Sequence, residues 1–542
     1  MPSDGDAMHQ ETREVVERSK RMVRHTAIVG AFRALNPLLG IIREIIMAHF
    51  LGTRAAADIY RFVVDRILVE LYTKVEKLLQ PTFLPIFVSR QTLTSDTAAF
   101  RFANVMGTLV ALILTGISFA GVLWADKFVA FMLHYLRQDI ANFELAVWMV
   151  RITFPFLIFY CLSNVLELTL QSYTNFTLPA LAEALRRILL VGGFAVVAFL
   201  VHEPTDRHVV VAATIGAIGG ITLRLLVQLP GLRGKFRYIR PSLELSNSDL
   251  QRAGILMLPL LLGVAFALLR SWVEVHTAGR IGEGVLAALG YARKFVDQPW
   301  QIIAYAISVV IYPFISELGA KRERGELGDA LLSVFRIMVF VFVPVSIIMV
   351  TLSKALVCGL LKGADPVLIL SALVFYLPGM TIFALEEPTM KWFYALGDTL
   401  TPTILGIIAD FIFFGILFGG VYGIGAGLPA FALALVISKG LKILAVYTIL
   451  HRRLGGLAWH RLIGFAIRMV VACAILTTAM WFMGRMAPDF EAGRLAHLGF
   501  LVIGGIIGVD VFAGCAYLLR MEEMMLVIER IGNAMRKRLR AR

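Results

Sequence analysis

Long apolar runs, separated by short polar turns, recur along the whole chain. About twenty mostly apolar residues are what an α-helix needs to cross roughly 30 Å of hydrocarbon. Fourteen such spans are predicted, at about 26–50, 60–89, 103–125, 145–169, 177–201, 208–230, 253–275, 284–315, 329–352, 366–390, 402–422, 425–450, 461–484 and 495–520. The second is the least apolar. The stretch 1–25 is polar and mixed in charge, without the apolar core or small-residue cleavage site of a signal peptide. The expected fold class is an all-α polytopic membrane protein.

Two pairs of segments repeat. Thr82-Phe83-Leu84-Pro85-Ile86-Phe87-Val88-Ser89 ends the second span, and Val310-Ile311-Tyr312-Pro313-Phe314-Ile315-Ser316-Glu317 ends the eighth. Gln171 to Pro179 precedes the fifth span as Phe393 to Pro402 precedes the eleventh. Pro313 follows Pro85 at an offset of 228, and Pro402 follows Pro179 at an offset of 223. Nearly equal offsets predict two six-helix halves, and the even number of helices between copies makes them parallel. The expected organisation is an N-terminal tail (1–25), an N-lobe (26–230), a basic linker (231–252), a C-lobe (253–450), helices thirteen and fourteen (461–520) and a basic amphipathic tail (521–542). Pro179 and Pro402 are read as helix starts, whereas Pro85 and Pro313 are expected to kink or end their spans.

Composition agrees with a lipid environment. Of 542 residues, 58% are hydrophobic and 17% charged, with a mean hydropathy of +0.78. Soluble domains lie nearer about 45–50% apolar and about 25% charged. A cytosolic enzyme, a secreted disulfide scaffold and a disordered regulator are excluded. The net charge of +14 would point to nucleic acid in a soluble protein, but here its distribution matters more. Fourteen spans put both termini on one side, whose loops and tails hold about 26 Lys and Arg against about 9 opposite, so that side is cytoplasmic. The charge is topological, and no nucleic-acid partner is expected. The tail 521–542 alternates apolar residues with Glu and ends in Arg536, Lys537, Arg538, Arg540 and Arg542. It reads as a surface helix on anionic lipid or as a solvated basic tail. Cys161, Cys358, Cys473 and Cys515 lack metal or disulfide spacing, and no metal site is expected.

Ionisable groups at membrane depth usually face a cavity or a partner. Here they gather in the first two spans of each half: Arg33, Arg43 and Glu44; Asp65, Arg66, Glu70, Lys74, Glu76 and Lys77; Arg270 and Glu274; Arg293, Lys294 and Asp297. Spans three, six and nine read as almost wholly apolar or small. If equivalent helices of the two lobes face one another, these charges line a net basic, water-filled cavity; internal salt bridges or snorkelling ends are the other reading. Arg151, Arg186, Arg187 and Arg468 lie near span ends and fit that plainer reading better. Arg binds phosphate bidentately and Lys as a point charge, so the cavity suggests an anionic, phosphate-bearing substrate. Asp410, alone in span eleven, is either a coupling-cation site for Na+ or H+ or a buried partner for a hydroxyl or Lys439. Gly234-Lys235 lacks the remainder of a nucleotide-binding phosphate loop, so no cofactor is expected and the driving force would be a gradient or potential. Gly216…Gly220 and Gly504…Gly508 are read as packing positions.

Several segments resemble one family. Gly40-Ile41-Ile42-Arg43-Glu44, then His49-Phe50-Leu51-Gly52 and Asp58, resembles the first-helix signature of the MviN/MurJ lipid II flippases, within the multidrug/oligosaccharidyl-lipid/polysaccharide exporter superfamily. Leu79-Gln80-Pro81-Thr82-Phe83-Leu84-Pro85 resembles that family's second-helix ending, with Glu76 in its glutamate place. Tyr291-Ala292-Arg293-Lys294-Phe295-Val296-Asp297-Gln298-Pro299 resembles its eighth-helix motif, with Lys294 where the family has an arginine. Phe393-Tyr394-Ala395 with Asp398, Thr401 and Pro402 also matches.

The resemblance implies a V-shaped, two-lobed bacterial inner-membrane transporter that is not an enzyme. It would flip an undecaprenyl-diphosphate-linked cell-wall precursor outward by alternating access, with the lipid tail in a groove of helices thirteen and fourteen. By position, Arg43, Glu44, Asp58, Glu76, Lys294 and Asp297 match the family or substitute conservatively. With the charges read from the spans themselves, Arg33, Arg43, Arg66, Lys74, Arg270, Arg293 and Lys294 would bind the diphosphate, and Glu44, Asp58, Glu70, Glu76, Glu274 and Asp297 would balance or gate the cavity. The sequence departs from the family where Pro37 replaces a cavity arginine and where Leu71 and Tyr72 occupy the paired-arginine places of helix two. Those departures keep open a flippase for another lipid-linked glycan, such as an O-antigen or capsule repeat. A scaffold within a complex of cell-wall synthesis proteins is the reading from a different class.

Overall fold

The computed structural model describes residues 37–529 except 245, 247, 322 and 527. Arg33 and the basic cluster Arg536–Arg542 therefore lie outside the described residues. Within them fourteen helical rods follow one another, and no strand occurs. They are α1 (37–51), α2 (55–93), α3 (Asp96–Leu123), α4 (Ile140–Ser172), α5 (Thr177–Leu200), α6 (Asp206–Leu232), α7 (Ser248–Ile281), α8 (Val285–Lys321), α9 (Arg324–Leu360), α10 (Pro366–Ala395), α11 (Leu400–Gly423), α12 (Leu428–Arg453), α13 (Ile463–Gly484) and α14 (Arg494–Leu518). Each overlaps one predicted span. Ten are long and apolar enough to cross a membrane, the others being α1, α2, α5 and α8.

Local chemistry sets the rod ends. Ser95, Thr205 and Asp365 accept backbone N–H groups at the starts of α3, α6 and α10, satisfying donors that a helix leaves open. Pro81 and Pro85 do not end α2, which runs on past Pro85 to Leu93. The halves also repeat in backbone detail. Pro155 breaks α4 and Pro378 breaks α10, again at the offset of 223. At the same offset Asn175 and Asp398 accept backbone N–H groups at the starts of α5 and α11. Asp398 also binds the Thr401 hydroxyl and Arg453. Burial raises its carboxyl, but these bonds outweigh burial and hold it at about 2.

The chain forms two compact units. The first holds the described residues up to Met47 with Ala55–Leu268; the second holds Ala48–Arg54 and Leu269 onward, so their division falls inside α7.

In unit 1, α5 and α6 meet through glycine. A Cβ on Gly193 would stand 2.7 Å from the Ala212 carbonyl oxygen and 2.9 Å from the Ala213 Cα; one on Gly220 would stand 2.7 Å from the Arg186 carbonyl oxygen. Small residues permit such approach where helices gain little from burying apolar surface. The segment after α6 is fastened to α3. Lys235 bonds Asp96, Arg101 bonds Glu244 at 2.7 Å, and Asn104 donates to the Tyr238 carbonyl at 2.7 Å. The Tyr173 hydroxyl, at the end of α4, donates to the same Asp96 carboxylate at 2.6 Å.

In unit 2, α13 and α14 pack on α9 around Ile348, Leu352, Met480 and Phe512, with Gly504 and Gly508 in the seam. Arg336 of α9 binds Glu522 and Glu523 just beyond α14, at 2.7 and 2.6 Å. The turn 48–54 is held at two points: Tyr291 donates to the Gly52 carbonyl at 2.9 Å, and the Asp365 N–H donates to the Thr53 hydroxyl at 3.0 Å. Gly52 has φ +57°, and a Cβ there would strike the Gly363 carbonyl, which accounts for glycine at this corner.

Because the atoms facing Gly193 are backbone, Gly193→Ala is expected to destabilise the protein by about 1–3 kcal/mol. Gly192→Ala points into open space and should be neutral. Thermal unfolding of the two variants in detergent checks the contrast.

Candidate functional site

The charged residues of unit 1 form two groups. In the first, α1 meets a part of α2, Arg61–Glu70, that is wound as a π-helix. Such wider turns are rare and occur often at functional sites. Arg43 donates to Asp65 at 2.6 Å and to Glu44 at 2.6 Å; Arg61 donates to Glu44 at 2.6 Å and lies 3.4 Å from Asp65. Two guanidiniums and two carboxylates thus close a neutral ring, with Arg43, Glu44 and Arg61 all buried. Arg61 was not among the residues singled out from sequence. Farther along α2, Glu70 lies between Arg66 at 3.1 Å and Lys74 at 3.7 Å, all three less than a fifth exposed. Lys77 is exposed. Asp58, fully buried, accepts the Tyr135 hydroxyl at 2.9 Å.

Glu76 belongs to the second group, deeper in unit 1. There Arg224 of α6, only 2% exposed, bonds Glu167 of α4 and lies 3.6 Å from Glu183 of α5. Glu183 also receives Arg186 at 2.6 Å and Arg187 at 2.9 Å. Tyr72 and Tyr160 stack with centroids 3.5 Å apart, and the Arg224 guanidinium sits 4.8 Å from the Tyr72 ring. The sequence reading treated span six as almost apolar and missed this cluster. Its signal was a lone arginine in an apolar run, which needs a buried counter-charge.

Unit 2 has its own two groups. Arg270 of α7 binds Asp410 of α11 at 3.0 Å, so the lone acid of that span carries a guanidinium. Arg293 of α8 lies 3.4 Å from the buried Glu274 and 3.6 Å from Asp297. Asp297 also accepts the Trp300 indole N–H at 3.1 Å, and Lys294 is half-buried beside them. Separately, Glu386 of α10 bonds Lys439 and Lys442 of α12. Lys439, weighed from sequence as a partner of Asp410, pairs with Glu386.

Distance and exposure sort these contacts. The α1–α2 ring is mostly closed at 2.6 Å, and all of it but Asp65 is buried. The Lys74–Glu70 and Arg293 contacts are 3.4–3.7 Å long at groups that, Glu274 apart, are about a sixth to a quarter exposed. Lys74 and Arg293 thus hold their carboxylates at longer range than Arg43 and Arg61 hold Glu44.

Comparison with known proteins gives this arrangement its family. The sequence profile described as lipid II flippase MurJ matches residues 47–500. The chain belongs to the MurJ family. A probable lipid II flippase MurJ from Vibrio cholerae is 24% identical over 92% of this chain and 96% of its own length. The lipid II flippase MurJ of Burkholderia cenocepacia is 24% identical over 79% of this chain and 85% of its own. Among solved structures, a lipid II flippase MurJ in an inward-closed conformation superposes with a TM-score of 0.71 at 15% identity, covering 91% of this chain and 99% of that one. An inward-facing multidrug transporter of the MATE family gives 0.63 at 17% identity, covering 77% and 94%. Both likenesses are of fold. Tyr72, which the resemblance puts in an arginine place, is a buried ring with the Arg224 guanidinium against it.

The α1–α2 ring makes a stability prediction. Glu44→Gln leaves Arg43 and Arg61 short of a counter-charge and should cost about 3–5 kcal/mol. Glu44→Leu with Arg61→Met removes a charge of each sign and should recover most of that loss. Thermal or denaturant unfolding in detergent measures both.

Proposed function

We propose that this protein is a flippase that carries lipid II, a polyprenyl-diphosphate-linked glycan, from the cytoplasmic to the outer leaflet by alternating access. It is a multi-pass inner-membrane transporter and not an enzyme. The observation that carries the reading is the family match over residues 47–500. The partly exposed cations Lys74, Arg293 and Lys294, on equivalent helices of the two halves, supply groups suited to a diphosphate.

Both termini are assigned to the cytoplasm by the excess of Lys and Arg in the loops on their side, with the basic tail against anionic lipid. A potential negative inside acts on each unit charge by about 2.3 kcal/mol per 100 mV. It favours outward passage of the anionic head group and inward return of an empty basic site, so the cycle can be biased without nucleotide hydrolysis.

One observation favours a second reading, a flippase for another lipid-linked glycan. Tyr72 is buried against Tyr160, so the place expected to hold a head-group arginine holds none.

Expression in a bacterium depleted of its own lipid II flippase, with outer-leaflet lipid II scored by external labelling, separates the two. Rescue supports lipid II; failure with the protein demonstrably in the membrane favours the other glycan. Lys294→Glu is expected to cut rescued labelling about tenfold or more, the scale of one charge-assisted hydrogen bond. Lys321→Glu, at an exposed pair with Glu317, should leave it intact.

A further inference from the structure

Unit 1 holds a partly open cavity of about 300 Å³ lined by α2, α4, α5 and α6. Its charged groups are unequally satisfied. Glu167 of α4 is bonded by Arg224 and by Gln171 at 3.1 Å. Glu183 of α5 is bonded by Arg186 and Arg187. Glu76 of α2, which lines the same cavity, has no hydrogen-bond or ion-pair partner among the described residues. Facing it, Arg224 is 2% exposed; its Nε stands 3.6 Å from Glu183, beyond hydrogen-bond range, and its Nη1 has no hydrogen-bond acceptor. A carboxylate without donors and a buried guanidinium with unused donors thus line one cavity. Lys77, the next residue on α2, is exposed. The remaining titratable groups on the cavity wall are the stacked rings of Tyr72 and Tyr160.

The other half of the molecule is an internal control. At the offset of 228 that relates α2 to α8, Glu76 corresponds to Ala304, which is fully buried. At the offset of 223 that relates the α4–α5 and α10–α11 corners, Glu167, Glu183 and Arg186 correspond to Met390, Gly406 and Ala409. The six-helix architecture is built in unit 2 without these groups, so packing does not demand them in unit 1. A membrane-embedded carboxylate kept without packing need is a functional group.

We propose that Glu76 is a proton-binding site, and that Arg224 is the counter-charge which its ionised form engages. Ionised, Glu76 is a third carboxylate for the open donors of Arg224. When a proton from water in the cavity adds to a carboxylate oxygen, that attraction is lost and the negative charge beside Glu167 and Glu183 falls by one. No other bond forms or breaks. Unit 1 then has two ion-pair arrangements that differ by one bound proton. Using that difference to drive transport rests on the flippase reading; the proton site itself does not.

The test is infrared difference spectroscopy of the purified full-length protein between alkaline and acidic buffer, with proton uptake measured on the same step. The wild type should gain a band of a buried, protonated carboxyl. Glu76→Gln and Glu76→Ala, the latter copying the residue found in α8, should lack it and take up about one proton fewer per molecule. Both variants are compared as monodisperse samples, and the wild-type band needs no variant to be seen. A wild type without the band, or variants that keep it, would overturn the assignment. A band that depends on Glu76 in a protein that moves no lipid II would support the proton site and overturn the flippase reading.

Discussion

Ionised groups at the depth of the hydrocarbon cost several kcal/mol each unless a counter-charge lies within hydrogen-bond reach. Each unit is assembled around that requirement. In unit 1, Glu44 and Arg61 tie α1 to α2, while Arg224 ties α6 to α4 and α5. In unit 2, Arg270 and Asp410 tie α7 to α11, and Glu386 ties α10 to α12. Between membrane helices little is gained by burying apolar surface, so close glycine seams and buried ion pairs carry the specificity of packing. A six-helix lobe held in this way can move as one body.

The two units share a backbone plan and differ in chemistry. Breaks at Pro155 and Pro378 and the accepting side chains Asn175 and Asp398 recur at one offset. Their interior charges do not. Unit 1 places three carboxylates and three guanidiniums around one cavity, whereas unit 2 joins a single carboxylate to two lysines. A repeat that keeps its turns and changes its charges has divided labour between its copies.

Most of the helical plan was legible because apolar runs of about twenty residues have few alternatives. Even α2, densely charged between Asp58 and Lys77, is one unbroken rod, and most of its charges, Glu76 and the exposed Lys77 apart, are met by neighbours that hydropathy does not register. The same blindness hid the contacts that matter most. Glu167 and Arg224 are 57 residues apart, and Glu386 and Lys439 are 53 apart; no local pattern links them. The segment after α6 read as a basic linker because its Lys and Arg are adjacent in sequence, whereas Asp96 and Arg101, which bind Lys235 and Glu244, lie far earlier in the chain. Arg43 and Glu44 were legible as charges needing explanation. That they close on Arg61 and Asp65 was not legible, because 17 and 22 residues separate the partners and no local pattern spans those gaps.

These pairings divide the basic residues by role. Arg43 is clamped at 2.6 Å between the buried Glu44 and the partly exposed Asp65, so a phosphate would have to displace two short, charge-assisted bonds to reach it. Lys74 and Arg293 are placed differently. Their carboxylates stand 3.4–3.7 Å away, beyond the short range of strong charge-assisted hydrogen bonds. A diphosphate offers oxygens at closer range, while Glu70 keeps Arg66 and Asp297 keeps the Trp300 indole. On the flippase reading, exchange of carboxylate for phosphate starts from these longer pairs, and at Arg293 it must offset the loss of a contact to the buried Glu274. The short pairs hold each lobe together, and the longer, partly exposed ones are the contacts that the proposed anionic head group would displace at least cost.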